Sequence, residues 1–403
     1  MSWRKYLGPG PLVAAAFVGP GTVTVCTLAG VNFGYELLWA LALSIVATSV
    51  LQEMAARIGL ITQQGLASVI TFTLSKGLLR YFSLGIILFA IVLGNAAYEA
   101  GNISGGAMGM ELFLTLPLLN FGQIQINLLN MSIGLIALSL LLWGNFQKIT
   151  QVLTALVIMM SLAFLFTAII MMPEIGKVAA GFVPRIDQSN IFSIVALIGT
   201  TVVPYNLFLH SSLISQKWQA VSDLKYIRVD TLVSVILGGL VSMAIVITAA
   251  GSDALSVSNA ADLAKGLEMG VGVYAKYLIA FGLFAAGITS AITAPLAGSL
   301  VVCDIFGWPK SIQGKYMRGG ILLILGLGLV FSSLGIKPVQ LISAAQIANG
   351  ILLPILSAYI LWLVNKKSIM KNSVNNLSMN IIGGLIWLIT FILGSWTVFR
   401  IFN

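Results

Sequence analysis

The stretch Phe17-Val18-Gly19-Pro20-Gly21-Thr22-Val23-Thr24 interrupts the first long apolar segment of the chain with Gly-Pro-Gly. Proline removes a backbone donor and its ring clashes with the preceding turn, while glycine tolerates almost any backbone conformation, so a helix breaks here. At membrane depth the freed N–H and C=O groups have no water. They persist only where protein or a polar cavity satisfies them, which makes the break a candidate binding site. A second stretch of the same design, Thr200-Thr201-Val202-Val203-Pro204-Tyr205-Asn206, lies half a chain later. Two interrupted segments at corresponding positions of two halves point to the substrate site of a secondary transporter.

Composition sets the solvent. The 403 residues are 59% hydrophobic and 8% charged, with a mean hydropathy of +1.02. So little charge does not cover the surface of a soluble domain of this length, and the chain reads as a polytopic membrane protein. The net charge of +9 comes without a basic run interleaved with aromatics, which excludes nucleic acid as a partner. Cys26 and Cys303 lie far apart in apolar stretches and define neither a disulfide framework nor a metal cluster. Arg4 and Lys5 precede an apolar run as in a signal peptide, but no cleavage site and soluble domain follow, so this run is expected to be the first span.

Apolar stretches of about 20 residues predict eleven spans, at 11–31, 36–56, 80–106, 124–144, 149–172, 190–215, 229–251, 271–302, 317–334, 338–364 and 379–400. With the N-terminus inside, cytoplasmic loops would hold 15 of the 21 Lys and Arg residues, and the outer side would keep Lys177, Arg185, Lys265, Lys276, Lys337 and Arg400. That asymmetry predicts an N-in, C-out protein with an odd number of spans. The polar segment 252–270 is expected to form a short outer helix. Spans one to five (11–172) and six to ten (190–364) would each begin with a broken helix. An odd number of spans per half inverts the second copy relative to the first. The expected fold is therefore an all-α membrane protein with a LeuT-type 5+5 inverted repeat, broken helices 1 and 6, and an added helix at 379–400.

Several motifs carry a resemblance to a known family. Gly19-Pro20-Gly21-Thr22, Leu28-Ala29-Gly30, Phe33-Gly34-Tyr35-Glu36-Leu37-Leu38-Trp39 and Leu51-Gln52-Glu53-Met54-Ala55-Ala56-Arg57-Ile58-Gly59 lie in the first half. Pro204-Tyr205-Asn206-Leu207-Phe208-Leu209-His210-Ser211, Ala285-Ala286-Gly287, Ile292-Thr293, Ala297-Gly298, Gln346 and Leu353-Pro354 lie in the second. In order and spacing the chain resembles the Nramp divalent-metal transporters over nearly its whole length. That resemblance implies a secondary transporter by alternating access, in a prokaryotic inner membrane, and no enzyme. The family's first-span motif is Asp-Pro-Gly-Asn and its sixth-span motif Met-Pro-His-Asn. Here the metal-binding Asp, Asn and Met positions are Gly19, Thr22 and Val203, and Tyr205 replaces the His.

No metal ligand is therefore expected. Transition metals want imidazole, thioether or carboxylate, and Mg²⁺ or Ca²⁺ want carboxylate oxygen. Each break would expose a half-helix N-terminus carrying roughly +0.5 of an elementary charge, among the neutral groups of Thr22, Thr24, Thr200, Thr201, Tyr205 and Asn206. The expected substrate is a small inorganic anion such as bicarbonate, bound by Gly19, Gly21, Thr22, Thr200, Val203, Tyr205 and Asn206. The alternatives are proton-coupled transport of a divalent metal ion (Mn, Fe or Mg), as the resemblance implies, and a channel.

Na⁺ or H⁺ would serve as coupling ion, with no other cofactor. The family's proton-passing Asp and Glu of the third span correspond to Asn95 and Tyr98, with Glu99 adjacent but about 100° round the helix. An intramembrane acid is a functional candidate by default, and His210, as the only histidine, is a candidate proton relay against the equally ordinary reading of a satisfied structural residue. Thr289, Ser290 and Thr293 offer hydroxyls for Na⁺, against the ordinary reading that such groups bond back to their own helix. The stripe Gly101, Gly105, Gly106 and Gly109 reads as close helix packing. Trp3, Trp39, Trp143 and Trp218 read as interfacial anchors, and Met159, Met160, Met171 and Met172 as core. Lipid is the remaining partner; the sequence leaves the oligomeric state open, and a monomer suffices.

Overall fold

The structure is a computed structural model and describes residues 18–114, 116–121, 124–143, 147–252 and 256–402. Trp3, Arg4 and Lys5 lie outside the described residues, as do residues 11–17 of the first predicted span. The helices are α1 (Pro20–Phe33), α2 (Leu38–Thr62), α3 (Leu66–Thr73), α4 (Leu78–Met110), α5 (Leu128–Trp143), α6 (Gln147–Ile170), α7 (Ile175–Ala180) and α8 (Ile191–Thr201). They continue with α9 (Pro204–Lys217), α10 (Leu224–Ala250), α11 (Ala260–Val271), α12 (Ala275–Phe306), α13 (Lys315–Ser332), α14 (Pro338–Val364), α15 (Lys367–Met370) and α16 (Leu377–Phe402). Among the described residues nine helical stretches are long and apolar enough to cross a membrane, and α5 is a shorter apolar helix. With α1 they fall on the eleven predicted spans, and α8 and α9 together make the sixth.

Three differences from the expectation have local causes. Residues 124–127, predicted to open the fourth span, form a strand in an antiparallel hairpin, Leu118–Phe121 with Ile124–Asn127. The alternation Ile124-Gln125-Ile126-Asn127 suits a strand better than a helix face, and the Asn127 side chain accepts from the Leu129 amide as α5 starts. Trp39 and Trp218 are not interfacial anchors: each is 7% exposed. Trp218 packs with Ala56, Leu60, Ile214 and Ile227, whereas Trp143 does lie at the surface. Met159 and Met172 also face outward rather than into the core. The polar segment is helical as expected, with the Asn259 side chain accepting from the Asp262 amide at the start of α11.

The helices sort into two groups. Helix α10 packs along α1 and α2, and α9 along α2, so spans one, two, six and seven form one bundle. Helices α12 and α13 pack along α4, and α5 against α12, so spans three, four, eight and nine form the second. Helix α14 touches both, through α8 and α4, and α16 lies outside it. Burial follows this order: 89% of the apolar window of α8–α9 is inside the protein, against 33% for α16. The glycine stripe of α4 faces α1 of the other group at Gly105 and α12 of its own group at Gly106 and Gly109. A Cβ at Gly105 would overlap Pro20, and one on Gly287 of α12 would sit 2.6 Å from the Gly106 Cα. At Gly109 a Cβ would crowd the Ala280 carbonyl. Small residues here let backbones approach, as the sequence predicts.

Candidate substrate site between the broken helices

Both breaks are built alike. Pro204 opens α9 after extended Val203 (φ −75°, ψ 123°), and Pro20 opens α1 after extended Gly19 (φ −86°, ψ 176°). Proline suits the first helical position, where its missing N–H would be unpaired anyway. The first amides to meet a helical carbonyl are Val23, on Gly19 O at 3.2 Å, and Asn206, on Val203 O at 3.1 Å. The Gly21 amide comes earlier in the turn, among the donors that a helix start leaves without an intrahelical carbonyl. Neither half-helix has an acidic residue in its first turn.

The two breaks meet. Thr22 Oγ1 and Thr200 Oγ1 are 3.0 Å apart and share a hydrogen bond, joining the start of α1 to the end of α8. Gln346 of α14 closes over both: its side-chain amide packs on Gly21, where a Cβ would overlap Nε2, and its carbonyl packs on Gly199. Asn349 donates to Gln346 Oε1 at 3.4 Å. Gly21, Thr22, Thr200, Val203, Tyr205 and Asn206, all expected at the site, are buried together here. Both side-chain atoms of Asn206 and the Thr24 hydroxyl are buried without a hydrogen-bond partner. An unmet amide in the interior costs about 1–3 kcal/mol, so the Asn206 side chain as it stands does not contribute to stability. Gln346 and Asn349 were not expected among the binding residues. A polar amide inside an apolar span is a legible signal, but only the packing places it over the first break.

The coupling candidates divide. Asn95 donates to Ala294 O at 3.2 Å and so fastens α4 to α12. Thr289 donates to Ala285 O and Ala286 O, and Thr293 to Thr289 O and Ser290 O, the ordinary back-bonding of hydroxyls to the preceding turn of their own helix. Ser290 keeps a buried hydroxyl without a partner. His210 Nε2 lies 3.1 Å from Thr231 Oγ1, and its Nδ1 is unpartnered. Glu99 is fully buried; Asn102 donates to one oxygen at 3.3 Å, and the other oxygen has no partner. Its methylenes pack on Gly328 of α13, away from the side of α4 that meets the breaks, as the helical angle predicts. Among the described residues no group of three or more His, Cys, Asp or Glu stands together to hold a metal ion.

Residues 10–400 match the family profile described as natural resistance-associated macrophage protein-like. The chain belongs to the Nramp family. The divalent metal cation transporter MntH of Staphylococcus saprophyticus is 26% identical, covering 99% of this chain and 92% of that protein. The natural resistance-associated macrophage protein 2 homologue of Dictyostelium discoideum is also 26% identical, over 99% of this chain and 64% of its own length. Among solved structures, an Eremococcus coleocola manganese transporter superposes with a TM-score of 0.76 at 23% identity, covering 96% of this chain and 85% of that one. Mhp1, a nucleobase-cation-symport-1 family transporter, reaches 0.57 at 14% identity, over 97% and 92%. This Nramp chain is thus a multi-pass membrane transporter with the broken-helix fold expected from its sequence, and its relatives are transporters rather than enzymes.

Proposed function

We propose that this protein carries a divalent metal cation by alternating access, the reading that was second choice from the sequence. The observation that carries it is chain-long similarity to proteins named as divalent metal cation transporters. The bundle of α1, α2, α8, α9 and α10 would rock against α4, α5, α12 and α13, with the ion between Gly19–Thr22 and Val203–Asn206. Neutral oxygens of Thr22, Thr200, Asn206 and Gln346 would replace part of its hydration. Without thioether or imidazole at the breaks, such a site favours a hard ion such as Mg²⁺ or Mn²⁺ over softer metals. Glu99 faces away from the breaks but is fully buried and next in sequence to Tyr98, whose ring packs on Tyr205; it is the intramembrane carboxyl that would offset the dication from a distance, with H⁺ or Na⁺ as coupling ion. Lysine and arginine asymmetry supports an inner-membrane protein with its N-terminus inside.

A small anion such as bicarbonate is the second reading, favoured by two proline-led half-helix N-termini with no acid in either first turn. Uptake by purified protein in proteoliposomes decides between them, with Mn²⁺, Mg²⁺ and bicarbonate each offered with and without a proton or Na⁺ gradient. Saturable divalent uptake supports the first reading; bicarbonate uptake with no divalent flux overturns it. The combined Gly19→Asp, Thr22→Asn and Val203→Met variant is expected to bind Mn²⁺ more tightly than the wild type. Equal affinities would show that the missing ligands do not matter. Glu99→Gln keeps the Asn102 contact and removes the charge, so divalent uptake is expected to fall without loss of folded protein.

A further inference from the structure

Two departures from the family pattern, far apart in sequence, meet in the fold. Tyr98 stands where the third-span pattern has an acid, and Tyr205 where the sixth-span pattern has a histidine. Their rings pack edge-to-face, with centroids 5.3 Å apart and planes at 62°, the arrangement that aromatic quadrupoles prefer. Among the described residues no larger side chain is as completely buried as Tyr205. Its hydroxyl lies beside those of Tyr98 and Thr293 without forming a hydrogen bond of good geometry. One ring at the second position of α9 thus reaches across to α4 and α12, from one helix group to the other. It does so beside Asn206, whose side chain is unsatisfied.

We propose that Tyr98 and Tyr205 act together as the selectivity-determining closure of the substrate site. The ion reaches Asn206 and the Thr22–Thr200 bridge only when the two rings part, and the volume they fill limits the size of ion accepted. The physical reason lies in what the phenols replaced. An imidazole or a carboxylate offers an ion a ligand or a charge, whereas a ring edge offers neither and excludes volume. The contact spans the two groups that must move apart for the site to open, so it breaks and re-forms in every cycle. This inference rests on binding between the broken helices and not on the charge of the ion.

The test uses the full-length protein in proteoliposomes, with Cys26→Ala and Cys303→Ala as background and Thr24→Cys as reporter, since Thr24 is fully buried on α1. Labelling by a small methanethiosulfonate reagent is expected to be slow in this background. Tyr98→Ala and Tyr205→Ala should each speed it about tenfold, the order of factor a packed aromatic pair supplies, and the double variant should go no further than either one. Tyr98→Phe and Tyr205→Phe keep the rings and should keep labelling slow. In the uptake assay the alanine variants should lose discrimination against the larger ion of a pair, Ca²⁺ against Mg²⁺ or acetate against bicarbonate. Labelling and ion preference both unchanged in folded alanine variants would overturn the proposal; if those variants do not fold, Tyr98→Leu and Tyr205→Leu are read in the same way. Labelling does not depend on the substrate, so failure of divalent uptake alone would sink the cation reading and leave the closure standing.

Discussion

The midplane site and the charged network at one end of α2 are opposite solutions to burying polarity. In the network each charged group meets an opposite charge, although Arg57 Nε is left without a hydrogen-bond partner. Glu53 takes Arg57 Nη2 at 3.2 Å on one oxygen and Arg228 at 2.9 Å on the other. Arg57 also donates to Ser373 O at 2.7 Å and to Asn375 Oδ1, tying α2, α10 and the segment before α16 together. Around the breaks there is no formal charge in either first turn, yet the hydroxyl of Thr24 and both ends of the Asn206 amide are unmet. Buried groups that serve stability are satisfied. Unmet groups at the place where two helices are broken are what the proposed substrate site would use, and the contrast between the two regions is what variants can test.

That contrast yields predictions of decreasing size. Arg57→Ala leaves Glu53 with Arg228 alone and strands the Ser373 and Asn375 acceptors, and should destabilise the protein by about 3 kcal/mol, the low end for breaking a buried pair. Thermal unfolding in detergent reads this, and a shift no larger than that of a surface variant would break the comparison from the network side. Gly199→Ala pushes a methyl into the Gln346 carbonyl and separates α8 from α14. About 1–3 kcal/mol is expected from such overpacking, together with slower uptake. Thr22→Val removes the 3.0 Å bridge to Thr200 and should cost only about 0.5–1.5 kcal/mol, while transport falls far more than stability. Uptake at wild-type rate would show that the bridge is structural, which breaks the comparison from the site side. Lys177→Ala deletes an exposed pair with Glu174, whose side chains are 66% and 70% exposed, and should change stability by less than about 0.5 kcal/mol.

Much of the architecture is legible in the chain because bilayer thickness and backbone hydrogen bonding leave few choices. Apolar runs of spanning length mark the helices, and Pro20 and Pro204 mark the breaks. The prediction failed where side-chain patterning competes with those constraints. Ile124-Gln125-Ile126-Asn127 is apolar enough to count toward a span but alternates as a strand. Trp39 and Trp218 sit near helix ends, where interfacial and core roles give the same sequence signal. Within the site, the chain identified Thr22, Thr200, Tyr205 and Asn206 through their nearness to the prolines. It did not identify Gln346, which lies in an unbroken span and reaches the first break only because Gly21 and Gly199 leave room for it.

The substrate expectation shows the same boundary from the chemical side. Gly19, Thr22 and Val203 stand where the family's motifs have Asp, Asn and Met. The step from missing ligands to an anion was the weaker one, because it counted charge only within a turn of each break. Glu99 lies well outside those turns in sequence, yet it is a fully buried carboxyl next to Tyr98, whose ring packs on Tyr205.

By itself, then, the sequence determined a polytopic membrane protein with helices broken at Pro20 and Pro204. Hydropathy, proline geometry and the absence of water in the bilayer act locally, over a turn or a span. Only the tertiary structure decided that Thr22 meets Thr200, that Gln346 lies over both breaks, and that Tyr98 and Tyr205 close on each other. Those contacts join residues far apart in the chain through glycine-lined helix seams, and close packing of that kind depends on how whole helices settle against one another rather than on any one stretch.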